Sequence, residues 1–524
     1  MYLVRWFNKF IQTKIIIFAM KKKSSYICLN NKRFAQMLKK LRILFAVLFW
    51  LGITLLLLDF TGALHLWLGW MAKVQFLPAV MAANVGVILF LVLLTLVFGR
   101  VYCSVICPLG VFQDGVAHLH HRKNRHPYHY KKENKWLRYG IWALFVILLL
   151  VGLQALAAIL APYSAWGRIV QNLFQPVALW LNNWFAGMAE RAGSYAFYER
   201  AVWLRSLPTL LVAAATLILV VVLAWRGGRD YCNNVCPVGT TLGFLSRFAM
   251  FRPMIDKDKC KNCKACERAC KASCIDLGSH SIDHSRCVTC FNCIDTCRFG
   301  ALHYRFAWKK AGAEPAAPDE GRRAFLAGTA LMVGAAAVKA QEKKTDGGFA
   351  PIADKTIPER EVPVTPPGSR SVKDFYRRCT ACQLCVAQCP NNVLRPSGDL
   401  DHFMQPEMSF ERGYCRPECT RCSELCPSGA IRRITREEKT RYHVGTARIA
   451  RDRCVAEQGT SCGNCARHCP VGAITMVENS MGLSVPAVDP AVCIGCGACE
   501  NLCPVRPLSA ITVNGRYDHL KDES

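Results

Sequence analysis

Apolar residues crowd the first half of this 524-residue chain in four long runs, at 41–60, 76–99, 137–161 and 208–225. Each matches the roughly 20 residues that a helix needs to cross a hydrocarbon core of about 30 Å. Buried helices of a soluble core are served by runs of roughly 10–14, and these are longer. The connections alternate in charge. Residues 1–40 carry ten Lys and Arg and no acid, and 100–136 carry seven; 61–75 carry only Lys73, and 162–207 carry four over a longer stretch. Basic connections stay on the cytoplasmic side of a bacterial inner membrane. A four-helix transmembrane domain is therefore expected over 41–250, with both ends inside, behind a basic cytoplasmic N-terminus at 1–40. Residues 1–40 make a poor signal peptide, because Lys14 interrupts a short apolar run and no small-residue cleavage site follows. Met20 and Met37 are alternative starts, and nothing functional is read into Cys28.

Beyond residue 250 the long runs give way to short segments dense in cysteine. Of thirty cysteines, twenty-four fall into six quartets. Four have the spacing C-x2-C-x2-C-x3-C: Cys260/Cys263/Cys266/Cys270, Cys287/Cys290/Cys293/Cys297, Cys379/Cys382/Cys385/Cys389 and Cys493/Cys496/Cys499/Cys503. Two widen only the first gap: Cys415/Cys419/Cys422/Cys426 and Cys454/Cys462/Cys465/Cys469. Three closely spaced thiolates grip three corners of a 4Fe–4S cubane, and the fourth reaches over to the neighbouring cluster, so quartets work in pairs. Zinc sites favour well-separated C-x2-C pairs, and disulfide frameworks belong to short secreted domains. Six quartets thus predict six 4Fe–4S clusters and one-electron chemistry. Formal net charge is +29. Six clusters on their thiolates would lower it to about +17. The basic excess is uneven and fits membrane topology better than nucleic-acid binding, and no nucleic-acid partner is expected.

The first module, 251–305, holds two quartets. By the exchange rule one cluster takes Cys260, Cys263, Cys266 and Cys297, and the other Cys287, Cys290, Cys293 and Cys270. The proline usual after a fourth cysteine is replaced by Lys271 and Arg298, and Cys274 is a spare thiol able to substitute for Cys270. Charge places this module in the cytoplasm. The segment 306–340 carries Gly321-Arg322-Arg323-Ala324-Phe325-Leu326 before a small-residue apolar run, and Val338-Lys339-Ala340 offers a cleavage pattern. That resembles a twin-arginine export signal, cleaved or kept as a fifth membrane helix. Clusters are built in the cytoplasm, so a loaded domain must cross already folded. A linker at 341–370, with Pro351, Pro358, Pro363, Pro366 and Pro367, reads as an extended spacer. The periplasmic four-cluster module is expected at 371–515. Its quartets are each followed by proline, and the repeats 426–431 and 469–474 put Ile431 and Ile474 where a short strand would pack under a cluster.

Two further pairs sit at the inner ends of the second and fourth apolar runs: Cys103-x3-Cys107-Pro108 and Cys232-x3-Cys236-Pro237, each followed by an aliphatic residue and glycine. They are read either as capped helix ends with inert thiols, or as four thiols that converge on a metal or form a redox-active dithiol. The histidines His118, His120, His121, His126 and His129 lie in a basic connection and suit water and headgroups better than haem.

On the strength of these motifs, residues 40–305 resemble NapH, the membrane ferredoxin subunit of the periplasmic nitrate reductase system, and 320–515 resemble its exported partner NapG. The combined fold class is a multidomain chain: a four-helix, or five-helix, transmembrane domain plus two α+β ferredoxin-like modules. The resemblance implies a quinol dehydrogenase of anaerobic respiration that draws on membrane quinol and passes electrons to a periplasmic reductase or cytochrome. Fusion departs from the usual separate pair, and related membrane proteins of nitrous-oxide reduction and oxidase assembly are equally similar over the first half. A ferredoxin-type donor for maturation of a metalloenzyme, or a flow from cytoplasmic ferredoxin through the inner module to the outer one, are the rival expectations. No catalytic residue is assigned.

Overall fold

The computed structural model describes residues 32–123, 128–194, 198–307 and 354–519. The twin-arginine segment, Cys28 and His126 lie outside them. Among the described residues two helices, Ala35–Leu58 and Leu207–Gly227, are long and apolar enough to cross a membrane. The other two apolar runs, expected as single helices, are each broken. Phe76–Met81 and Val85–Phe98 are parted where Ala83 adopts φ 51°, and Lys135–Val151 and Gln154–Leu160 where Gly152 adopts φ 92°. Left-handed residues end a helix whatever its hydrophobicity. A uniformly apolar sequence such as Val85–Phe98 carries no periodicity to announce the break.

The stretch 162–207, expected as a mere connection, is largely helical: Pro162–Ile169, a π-helical turn at Val170–Phe174, then Gln175–Arg191. Pro162 sits in the first turn, where its missing N–H costs nothing. Every residue of Pro162–Ile169 is buried.

The described residues fall into two compact units: those within 32–51, 86–144 and 218–307, and those within 52–85, 145–217 and 354–519. The helical stretch 41–250 is thus shared between units rather than forming one domain. In the first unit, strands Phe251–Ile255 and Leu302–Phe306 pair antiparallel around the first two quartets. Its core mixes cysteines with Ile275, Leu277, Ile294 and Tyr304. Met250 N–H donates to Leu96 O, and the Tyr304 and Thr289 hydroxyls donate to Phe98 O, which fixes this module to the helix Val85–Phe98.

In the second unit no sheet among the described residues exceeds two strands. Gly445–Ile449 pairs with Ile511–Gly515, Ile474–Glu478 with Ser484–Val488, and Leu394–Pro396 with Pro406–Met408. Cysteines supply much of the core. An apolar interior so interleaved with cysteine suits a fold held by metal as well as by side-chain packing. Ile474 begins a strand, as expected. Ile431 is buried but lies outside any strand, because the neighbouring Arg432 N–H is taken by Gly368 O.

Gly368 belongs to the proline-rich segment, which is not the free spacer expected of it. From Val364 to Ser369 it is buried, and its carbonyls accept from the module: Val362 O from Gly515 N–H and Val364 O from Met408 N–H. Extended proline-rich backbone makes no hydrogen bonds of its own, so its carbonyls remain available to neighbouring strands.

Candidate iron–sulfur sites

All four regular quartets share one backbone device. The residues just before and just after the second cysteine are left-handed in each: Asn262 and Lys264 (φ 54° and 57°), Thr289 and Phe291 (50° and 64°), Ala381 and Gln383 (48° and 59°), Gly495 and Gly497 (72° and 79°). Six of these eight are not glycine. Such residues cost on the order of 1 kcal/mol each and persist only where something overrides the cost. Alternating right- and left-handed residues turn successive N–H groups to one side, forming a concavity for an anion. The widened quartets lack the device, since none of their intervening residues is left-handed between the second and third cysteines.

The thiols are grouped across quartets. One cavity in the first unit is walled by Cys260, Cys263, Cys266 and Cys297, and a second by Cys270, Cys287, Cys290 and Cys293 together with Cys274. This is the exchange of fourth cysteines that the spacing predicts. Cys274 stands with Sγ 3.6 Å from that of Cys270, in the same cavity. In the second unit a cavity is walled by Cys389, Cys415, Cys419 and Cys422. Cys426 meanwhile interacts with Cys379, Cys382 and Cys385. Cys496 faces Cys469 and Cys493, and Cys465 faces Cys454 and Cys462; Cys499 and Cys503 pack in the same core.

Burial pushes Cys266 and Cys382 up to about 11 and Cys496 up to about 12, so bare thiolates are disfavoured there. Iron offsets that cost by binding the deprotonated form. Backbone N–H groups already point at fourth-cysteine sulfurs, Ile431 at Cys426 (3.4 Å) and Ala473 at Cys469 (3.2 Å). No three His, Cys, Asp or Glu side chains among the described residues close around a point as one metal ion requires. Walls of four separated sulfurs with inward N–H groups fit a cubane better than zinc.

Each module is fastened to helices of its own unit. In the second, Ser164 Oγ donates to Thr380 O (2.5 Å), Asn172 Nδ2 to Gln383 Oε1 (3.3 Å) and Gln388 Nε2 to Leu56 O (2.7 Å). A Cβ on Gly167 would stand 2.2 Å from Cys382 O, so only glycine lets Pro162–Ile169 lie against the 379–385 loop. In the first, Lys271, which replaces the usual proline, reaches Asp114 at 2.5 Å.

The remaining cysteines also meet. Cys103, Cys107, Cys232 and Cys236 are 3–4% exposed and lie within electrostatic reach of one another. Two arginines that sequence reasoning passed over hold them, Arg100 and Arg229, both fully buried. Each stands three residues before its own pair, and each reaches the opposite one: Arg100 Nη2 donates to Cys232 O (3.2 Å), and Arg229 Nη1 to Cys103 O (2.8 Å). The signal was available, because the repeat begins at Gly-Arg-x-Tyr-Cys, at 99–103 and again at 228–232. Of the histidines, His120 packs on Trp225 at 4.8 Å while His118 and His129 are exposed.

The architecture and the sulfur groupings define an iron–sulfur, ferredoxin-type electron-transfer protein. A family model described as a 4Fe-4S dicluster domain matches residues 378–430 and 453–506, and one described as a 4Fe-4S binding domain matches 81–127 and 208–254. The ferredoxin-type protein NapF of Escherichia coli is 32% identical over 158 residues, 30% of this chain and 87% of NapF. The methylamine utilization ferredoxin-type protein MauM of Methylobacillus flagellatus is 30% identical over 167 residues, 30% of this chain and 70% of the relative. MauM of Paracoccus denitrificans is 28% identical over 192 residues, 35% and 82% of the two. No solved structure matches. This chain belongs to the family of ferredoxin-type proteins that NapF and MauM represent.

Proposed function

We propose that this chain is a bacterial inner-membrane electron carrier that oxidises quinol among its helices and delivers electrons outward to a periplasmic reductase such as nitrate reductase. Six 4Fe–4S clusters carry the electrons: two in the cytoplasmic module, on Cys260, Cys263, Cys266, Cys297 and Cys287, Cys290, Cys293, Cys270, and four in the exported one. The four-helix reading counts Phe76–Met81 with Val85–Phe98, and Lys135–Val151 with Gln154–Leu160, as interrupted spans, which membrane proteins tolerate where the break is buried in protein. The whole chain is read as a fusion of a NapH-like half and a NapG-like half.

The observation that carries this reading is the seating of the Cys379/Cys382/Cys385/Cys426 site on the buried helix Pro162–Ile169, through Gly167 and Ser164. Such a seat supports electron entry from the helical region into the outer module. Some relay is required in any case, because a lipid core of about 30 Å is too thick for one hop between clusters on its two faces.

The test is anaerobic reduction of the clusters in membranes by menaquinol analogues, followed by EPR. Reduction supports the proposal; failure with quinol but success with reduced ferredoxin overturns it in favour of supply from a cytoplasmic ferredoxin through the inner module. The MauM relatives are named for methylamine utilization, so kinship leaves the acceptor open, and a donor for metalloenzyme maturation is the second reading. Deletion separates the two: a partner lacking its cofactor points to maturation, an intact but unreduced partner to supply.

A further inference from the structure

Four thiols outside the six quartets are brought together by two copies of one Cys-x3-Cys-Pro stretch, and the surroundings say what they hold. Cys103 lies in the helix Val101–Val105 and Cys232 in the π-helical turn Tyr231–Val235, while Cys107 and Cys236 follow the ends of these elements and stand just before the helices Pro108–Lys123 and Pro237–Ser246. The copies are related reciprocally. A Cβ on Gly110 would stand 2.3 Å from Cys103 O and 2.8 Å from Arg229 Nη1, and one on Gly239 would stand 2.2 Å from Cys232 O and 3.0 Å from Arg100 Nη2, so both positions require glycine. Sulfur also receives direct donors: Gln113 Nε2 on Cys232 Sγ at 3.3 Å and Gly239 N–H on Cys236 Sγ at 3.3 Å, with Arg100 Nη2 3.8 Å from Cys103 Sγ and Arg229 Nη1 3.7 Å from Cys232 Sγ.

Charge narrows the choice. Four buried cations converge here, Arg42, Arg100, Arg229 and Lys271. The one carboxylate among them is Asp114, and the Cys290 sulfur of the neighbouring site also faces Arg42 and Lys271. Positive charges remain uncompensated around neutral thiols or a disulfide, which is costly for buried groups. A 4Fe–4S cluster of core charge 2+ on four thiolates carries a charge of about −2 and cancels them. A single tetrahedral zinc would carry the same charge, but the sulfurs do not close tightly enough around one point for it.

The stretches 81–127 and 208–254, which match the 4Fe-4S binding model, contain none of the quartet cysteines; their only cysteines are these two pairs. Neither copy can ligate a cubane alone. We infer that Cys103, Cys107, Cys232 and Cys236 jointly bind a seventh 4Fe–4S cluster, held between the two copies with Arg100, Arg229 and Gln113 as its hydrogen-bonding surround.

The test uses the full chain purified anoxically in detergent. Iron and acid-labile sulfide per polypeptide are compared between wild type and Cys103→Ala/Cys107→Ala, with about four fewer of each expected in the variant. Unchanged iron and sulfide overturn the assignment, as does zinc or copper lost in their place, or two thiols that become alkylatable only after reduction. If the double variant does not fold, Gln113→Leu decides, since this side chain donates to Cys232 Sγ and, within its own helix, to Leu109 O. Losing a donor to sulfur should move one cluster's EPR-monitored potential downward and leave the others in place; a full set of unmoved potentials overturns the inference. The quinol assay above does not enter this test, so the two readings fail separately.

Discussion

Asp114 is the residue on which the charges of the first unit balance. Burial alone would raise its carboxyl, but the guanidinium of Arg229, the ammonium of Lys271 and the guanidinium of Arg42 outweigh this and hold it well below the usual carboxylate range. A group lowered in this way stabilises the fold at any pH above the unfolded value near 4 and ceases to do so only as pH falls beneath it. Replacing one partner of a buried ionic network leaves the others unpaired at a cost of about 3–5 kcal/mol. Asp114→Asn is therefore expected to lower stability by that amount at neutral pH, read as earlier thermal bleaching of cluster absorbance in detergent. His284 titrates in a more accessible window. Burial first, and the Arg252 guanidinium next, push its imidazole down to about 4 despite Asp283. Between pH 6.5 and 4 the unfolded chain binds a proton that the folded chain refuses, so stability falls as pH is lowered through that range and is complete above it. The loss at pH 5.5 is about 1 kcal/mol. His284→Gln should flatten the difference between midpoints at pH 7.5 and 5.5 by that amount. At this scale the cysteines were fully legible, because ligand spacing is local. Arg100, Asp114 and Lys271 were not, because their partners lie far along the chain and nothing in periodicity pairs them.

Among the elements, the informative failures of sequence reading are those where tertiary contacts override composition. The runs at 76–99 and 137–161 are apolar enough for single helices, yet Ala83 and Gly152 turn left-handed. The segment 162–207 has a mixed composition that reads as a connection, and its first helix is buried on every residue. The proline-rich segment has the composition of a spacer, and its carbonyls are taken up by strands. For the last two the decisive neighbour is remote in sequence, whereas the breaks at Ala83 and Gly152 are closed by local hydrogen bonds, Asn84 N–H to Ala79 O and Leu153 N–H to Leu148 O. Pro162–Ile169 also yields the sharpest prediction at this scale. Because the Cys382 carbonyl lies 2.2 Å from where a Cβ would stand, Gly167→Ala cannot be absorbed by rotating a side chain. Backbone must separate, at roughly the 1–3 kcal/mol that overpacking costs. Iron content should hold, while quinol-driven reduction of the outer-module clusters slows at least severalfold and reduction by dithionite does not. Equal quinol and dithionite rates in wild type and variant would remove this contact from the electron path.

For the molecule as a whole, export of the C-terminal module is the part of the proposal that carries the greatest risk. Arg322 and Arg323 precede the small-residue apolar run, and everything downstream of 340 depends on what they do. Cluster insertion needs the cytoplasmic supply of iron and sulfide, and a module whose core is interleaved with ligand cysteines cannot regain its clusters after translocation in an unfolded state. A pathway that carries folded cargo is the one compatible with both facts, and it reads the arginine pair. Arg322→Lys/Arg323→Lys is therefore expected to leave synthesis and iron content of the chain unchanged while stranding the module inside. The measurement is protease access in spheroplasts. In wild type the 354–519 region should be cut from outside and the 251–307 region protected. In the double variant both should be protected, with quinol oxidation by an external acceptor lost. Protection of 354–519 in the wild-type chain would place both modules on one side, and the outward route through the helices would then have no destination.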